Sequence, residues 1–172
     1  MKPLVPLTFQ TDRLLFRQFH DSDLDAYADM NADPEVRRYL DGRVLERDQA
    51  WREMAMFLGH WELRGYGLWA AELKRTGEFV GRIGLNNPEG WPGLEVGWAL
   101  ARQHWGHGYA TEGGRAAMEH AFESLGINHI ISVIHPDNRP SIQVAERLGE
   151  TFERAARVLR EFEVVIYGRS RD

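Results

Sequence analysis

The sequence predicts an α/β fold in one domain spanning residues 1–172, with a mixed, mostly antiparallel central sheet of about seven strands and helices on both faces. Three observations carry this. Short β-rich runs lie close together in the middle of the chain, separated only by turns. Apolar residues recur at helical spacing in several longer stretches. A strand, a glycine-led helix and a second strand then follow one another past residue 94, forming a β–α–β unit. A chain of 172 residues that is 43% hydrophobic and 27% charged is of a size to bury roughly two-thirds of its unfolded surface around a single core.

The first strand is read in TDRLLFRQF, Thr11 to Phe19, because it is rich in Leu and Phe and is followed by the turn-like HDSD. A helix follows, with Ser22 as its cap, Asp23 and Asp25 in its first turn, and Leu24, Tyr27 and Ala28 as its apolar stripe ending near Asn31. Pro34 opens a short helical piece through Leu40. From Glu46 to Arg64, Ala50, Trp51, Met54, Phe57, Leu58 and Trp61 mark a long amphipathic helix that Gly65 and Gly67 end.

Three strand-like runs come next, YGLWAAEL, EFVGRIGLNN and LEVGWAL, joined by RTG and PEGWPG. Connections this short join antiparallel neighbours, so a meander is expected. A second long helix runs from Gly108 to Gly126, with Ala110, Gly114, Ala117, Met118, Ala121, Phe122 and Leu125 on one face. HIISVIH is then a buried strand, Asn138 to Leu148 a helix closed by Gly149, and TFERAARVLR with FEVVIYGR a final hairpin.

Composition excludes several function classes. Without cysteine there is no disulfide, thiolate nucleophile or zinc–sulfur site. The seven histidines form no HExxH or comparable pair, so no metal is expected. A net charge of −5 opposes nonspecific DNA binding. No apolar run approaches the roughly 20 residues of a membrane-spanning helix, and the start MKPLVPLTFQTDRL is no signal peptide, so the expected location is the cytoplasm.

The densest functional signal is RQHWGHGYATEGG, Arg102 to Gly114. Gly106 and Gly108 let backbone N–H groups converge without Cβ obstruction just where a helix leaves about four N–H groups without intrahelical partners. The positive end of the helix dipole, with Arg102, His104, His107 and Arg115 nearby, favours an anion such as a phosphate. A Walker loop is excluded because Tyr109 and Ala110 stand where it needs Lys and Ser or Thr. A dinucleotide fingerprint fits poorly, with Thr111 at its third glycine.

The spacing Gln103-x-x-Gly106-x-Gly108 after VGWAL, followed by a helix, a strand and Asn138-x-x-Ser141, resembles the GNAT family of N-acetyltransferases. Their acetyl-coenzyme A loop follows Q/R-x-x-G-x-G/A between the fourth strand and third helix. The resemblance covers nearly the whole chain. TDRLLFRQF, NADPEVRRYL, EVGWALARQHWGHGYATEG and NRPSIQVAERLGE resemble the RimJ/RimL-like branch of ribosomal-protein N-terminal acetyltransferases.

The resemblance implies acetyl-coenzyme A as cosubstrate. Backbone N–H groups from Gln103 and Trp105, Gly106, His107, Gly108, Tyr109 and Ala110 would cradle its pyrophosphate. The edge of Val96, Gly97 and Trp98, splayed from the next strand, would bind the pantetheine and the thioester carbonyl, in the manner of β-augmentation; otherwise Gly97 marks a bulge. It also implies direct attack by a primary amine in a ternary complex. Glu95 would accept the proton, or else be a strand residue paired with Arg82. Ser141, or water, would protonate the thiolate. Asn138 would bond the pantetheine or serve as an N-cap.

The acceptor implied is a protein N-terminus; small amines, and a cofactor-sensing module without transfer, are the alternatives. Tyr39, Trp69 and Trp91 are candidate pocket aromatics or else core residues, and the acidic cluster Asp21, Asp23, Asp25, Asp29, Asp33 and Glu35 could attract a cationic peptide or polyamine or else be a solvated helix face. An exposed strand edge near the C-terminal hairpin is compatible with a homodimer.

Overall fold

A computed structural model describes residues 2–171. Its centre is one sheet of eight strands in the order β1-β2-β3-β4-β5-β6-β8-β7. Strands β1 (Phe9–Gln10), β2 (Leu14–Arg17), β3 (Leu68–Leu73), β4 (Phe79–Asn86) and β5 (Glu95–Leu100) pair antiparallel in sequence. Strand β6 (His129–Ile134) runs parallel to β5, and the hairpin β7 (Thr151–Val158) and β8 (Phe162–Ser170) completes the sheet. The expected meander and final hairpin are both present.

The helices are α1 (Leu24–Ala32), α2 (Pro34–Arg37), α3 (Arg47–Arg64), α4 (Tyr109–Ser124) and α5 (Arg139–Arg147). Helices α1 and α3 share an apolar cluster with Ala70, Phe79 and Ala99 on one side of the sheet, while α4 packs Ala117, Met118 and Ala121 against Ile83, Leu85 and Val96 on the other. Alternation along β5 therefore sends Val96 and Leu100 to the α4 face, and Glu95, Gly97 and Ala99 to the α1/α3 face. This division places the two halves of the site.

The sequence reading differs from the structure at a few local points. The first strand expected over Thr11–Phe19 is confined to Leu14–Arg17, and a two-residue strand, Phe9–Gln10, precedes it, because Thr11 N–H bonds the Leu14 carbonyl at 2.9 Å and turns the chain between them. Ser22 does not cap α1. A short 3₁₀ turn, Asp21–Asp23, precedes the helix, and Asp23 takes the His20 N–H at 2.7 Å while accepting two 2.7 Å bonds from Arg17. The piece from Pro34 stops as helix at Arg37, whose carbonyl takes the N–H groups of Leu40 and Gly42.

In α3 the buried stripe is Ala50, Met54, Phe57 and Trp61, whereas Trp51 and Leu58 are 50% and 38% exposed. Gly65 alone provides the left-handed C-cap of that helix, at φ +76°. Trp69 is a core residue with no exposure, its Nε1 donating to Pro6 O. The acidic run is divided: Asp23 pairs with Arg17, Asp25 with Arg47, and Asp33 caps α2.

Candidate active site

Strands β5 and β6 meet at one rung and then part. Glu95 pairs with Ile131, whose N–H bonds Leu94 O at 3.0 Å, and no further rung joins the two strands. Alternation from Leu94 points the peptide groups of Val96 and Trp98 toward β6, and those of Glu95 and Gly97 toward Asn86 and Gly84 on β4. Beyond the last rung the Trp98 N–H and carbonyl thus face a gap between strands, with the geometry of an edge that another extended chain can join. The Val96 carbonyl, at the foot of the gap, accepts from Ser132 Oγ at 3.0 Å.

The glycine loop closes the same opening from α4. Gly106 and Gly108 have φ of +77° and +80°, a region L side chains enter at about 1–2 kcal/mol. Gly108 is the N-cap of α4, and its carbonyl takes the Glu112 N–H at 3.0 Å. The first-turn N–H groups ahead of Glu112 lie at the positive end of a 16-residue helix.

Arg13, from the turn before β2, clamps this loop. It donates to His107 O at 2.8 Å and to Glu112 Oε2 at 2.6 Å, and its guanidinium lies 4.6 Å from the Tyr109 ring centre. Burial tends to raise the Glu112 pKa, but bonds from Thr11 and Arg13 outweigh it and hold the carboxyl below its ordinary value. The loop is braced before any ligand arrives.

A cleft of about 1000 Å³ runs along these elements. Trp98, Trp105, Gly106, His107, Gly108, Tyr109, Ala110, Asn138 and Ser141 all line it, so most of the residues singled out from sequence are brought together. Gln103 is exposed on the 3₁₀ turn Arg102–His104 and Val96 is buried beneath; neither lines the cleft, nor do Glu95 and Gly97, which face the other side of β5. Trp105 is tied to the sheet by Nε1 bonding Leu100 O at 2.8 Å.

An extended arm laid in the splay, with its anionic end on the α4 N-terminus, fits this arrangement. Gly106 supplies the space, since a Cβ built there meets nothing within 4 Å. The cations Arg38 and Arg147 and the ring of Tyr39 also border the cleft.

On the opposite face of β5, Glu95 is 9% exposed. Burial raises its pKa above the ordinary value; the bonds from Asn86 Nδ2 (3.1 Å) and Trp91 Nε1 (2.8 Å), both to Oε2, and the Arg82 charge oppose that rise. Arg82 lies over the Phe57 ring instead of forming an ion pair with Glu95. Gly97 is no bulge: β4 and β5 keep register through Gly84↔Gly97. Gly97 leaves bare sheet beside Glu95, whose Oε1 lies 3.5 Å from where a Gly97 Cβ would be, whereas the Cβ position at Gly84 is already taken by Gly67 O and the Trp69 ring.

Asn138 caps α5, its Oδ1 taking the Ser141 N–H at 3.3 Å. Ser141 Oγ lies 3.3 Å from Trp98 Nε1 and borders the cleft. Sequence reasoning missed the Arg13–Glu112 clamp, the Arg38 and Arg147 rim, and Ser132. The clamp joins residues 99 apart, and no local spacing signals such a pair. Among the described residues no helix is long and apolar enough to cross a membrane.

A sequence model described as Acetyltransferase (GNAT) domain matches residues 13–151. The chain is 36% identical over 155 residues to the uncharacterized protein YkkB of Bacillus subtilis (strain 168), covering 86% of this chain and 87% of YkkB. It is 30% identical over 158 residues to the uncharacterized N-acetyltransferase p20 of Bacillus licheniformis, covering 91% and 87%.

Among solved structures, an acetyltransferase from Agrobacterium tumefaciens str. C58 superposes with a TM-score of 0.86 at 34% identity, covering 97% of this chain and 95% of that one. RimL, a ribosomal L7/L12 alpha-N-protein acetyltransferase solved in complex with coenzyme A, shares the fold with a TM-score of 0.77 at 19% identity, covering 96% and 97%.

Proposed function

The chain belongs to the GNAT acetyltransferase family, and from that premise we propose that residues 1–172 form one domain transferring an acetyl group from acetyl-coenzyme A to the α-amine of a protein or peptide N-terminus. The observation that carries this reading is the β5/β6 splay opening beside a glycine-bracketed helix N-terminus. Bound acetyl-coenzyme A would supply an activated acetyl thioester and a thiolate leaving group.

The chain's own residues do the rest. The first-turn N–H groups of α4, with the loop from Trp105 to Gly108, hold the pyrophosphate. The Trp98 N–H, directed into the splay, binds the acetyl carbonyl oxygen where negative charge develops. Glu95 takes the proton of the attacking amine from the opposite face of β5, across the bare surface at Gly97. Ser141 stands at the cleft wall to return a proton to sulfur. Holding amine and acyl carbon together in one ternary complex supplies much of the rate by proximity.

The acceptor class follows from how weak a base suffices. Freeing an α-amine at pH 7 costs about 1–1.4 kcal/mol, against about 4.6 for a lysine side chain. One buried carboxyl, Glu95, matches the smaller demand, and the shared fold of RimL supports the same class. The test is a panel of free-N-terminus peptides, their Nα-blocked lysine-containing counterparts, polyamines and amino acids. Turnover of the free-N-terminus peptides alone is expected; turnover of small amines alone would refute the assignment.

A further inference from the structure

Ser132 has one hydroxyl proton and two buried contacts that compete for it. Its Oγ is 3.0 Å from Val96 O and 3.1 Å from Glu150 Oε1. Ser132 is 1% exposed and Glu150 3%, so both are shielded from bulk solvent. A carbonyl oxygen only accepts, so a bond to Val96 uses the Ser132 proton. The Glu150 contact is then a hydrogen bond only if the carboxyl carries its own proton and donates to Ser132.

The surroundings favour that protonated form. Glu150 Oε2 has no hydrogen-bond partner among the described residues, a condition far less costly for a neutral carboxyl than for a carboxylate. Burial is the main influence, opposed by the Ser132 bond; the charges of Glu95 on β5 and Glu153 on β7 act with burial, Arg169 on β8 acts against it, and the carboxyl is pushed up to about 8. From α5 the adjoining group is the Ala145 carbonyl, which takes the Glu150 N–H at 3.1 Å.

Val96 is the residue immediately past the last β5/β6 rung, so whatever holds its carbonyl sets how the splay begins. We infer that Glu150 is a positioning residue: when neutral it donates to Ser132, which pins the Val96 carbonyl at the foot of the splay, and when ionised it claims the Ser132 proton and releases that carbonyl. In the second state the carboxyl proton has gone to solvent, the Ser132 hydroxyl has turned from Val96 O to Glu150 Oε1, and nothing covalent has changed. The inference rests on the reading of the splay as the acetyl-coenzyme A site, because an edge already held in place binds an extended arm without first being ordered.

The test is calorimetric titration with a non-hydrolysable thioether analogue of acetyl-coenzyme A, without acceptor amine, between pH 6.5 and 9.5. Wild type is expected to weaken about fivefold across that range, the worth of one neutral hydrogen bond, with a midpoint near 8. Glu150→Gln, whose amide donates to Ser132 at every pH, stays at the tight value, and Ser132→Ala stays at the weak one. A urea midpoint for each variant establishes that it is folded. Identical pH profiles for wild type and Glu150→Gln would overturn the inference while leaving the cofactor site standing. Absence of binding by wild type at any pH would instead overturn the site, and the inference with it.

Discussion

Replacing Glu150 by Gln should make the protein more stable at alkaline pH and leave it nearly unchanged at acid pH. The carboxyl is almost wholly buried, one of its oxygens lacks a partner, and its pKa is pushed from an ordinary 4.5 to about 8, chiefly by burial. A raised pKa on an acid means that the folded state binds the proton more tightly than the unfolded chain. This contribution to stability is therefore complete below pH 4.5 and is lost as the pH rises to about 8. At 1.36 kcal/mol per pKa unit the full difference is about 5 kcal/mol, an upper figure because structure around an ionised group relaxes.

Gln has nearly the same shape and cannot ionise, so it escapes this loss. Urea unfolding at pH 5, 7 and 9 measures it, with other titrating groups cancelling in the difference between the two proteins. The advantage of the variant should grow by several kcal/mol from pH 5 to pH 9. A constant difference across that range would show that Glu150 is ionised or solvated in the native protein, and would refute the proton count at Ser132.

Gly108→Val tests the anion cradle. Its new Cβ would meet only Arg13 Nη2, at 3.5 Å, so the conflict is with φ +80° and not with a neighbour. The expected result is a loss of about 1–2 kcal/mol in stability and at least tenfold in acetyl-coenzyme A affinity, since the loop must turn its N–H groups to relieve the strain. Calorimetry showing unchanged affinity would mean that the loop holds no phosphate. Glu95→Gln should lower kcat about 10²-fold or more while the cofactor Kd holds, the signature of a lost proton acceptor; equal kcat in stopped-time thiol assays would remove Glu95 from the chemistry.

Much of the fold was legible because the local signals agreed with the tertiary ones. The meander followed from turns too short for crossovers, α4 and its N-terminus from the glycine loop, and the final hairpin from its two β-rich runs. The errors lie where a distant partner overrode local preference. Ser22 does not cap α1, because a 3₁₀ turn forms ahead of the helix with the Asp23 carboxylate held between the His20 N–H and Arg17 of β2. Trp51 falls outside the buried stripe of Ala50, Met54, Phe57 and Trp61, because it sits about a quarter-turn round α3 from Ala50.

The site divides in the same way. The loop residues from Trp105 to Ala110 were readable from spacing, and the structure lines one cleft with them. Arg13, Ser132 and Glu150 were not, because each acts through a residue far along the chain: Glu112, Val96 and Ser132 respectively. Arg13 stood inside a stretch already marked as family-like, yet nothing next to it in sequence shows that it braces His107.

The most direct test of the account is calorimetric titration of the purified protein with acetyl-coenzyme A, followed in the same sample by thiol release on adding free-N-terminus peptides. Micromolar binding at one site, with thiol released only when an acceptor is present, is the predicted result. Binding without release on adding these peptides would contradict the proposed N-terminal transfer, and no binding at all would contradict the assignment of the splay and the Gly106–Gly108 loop as the cofactor cleft.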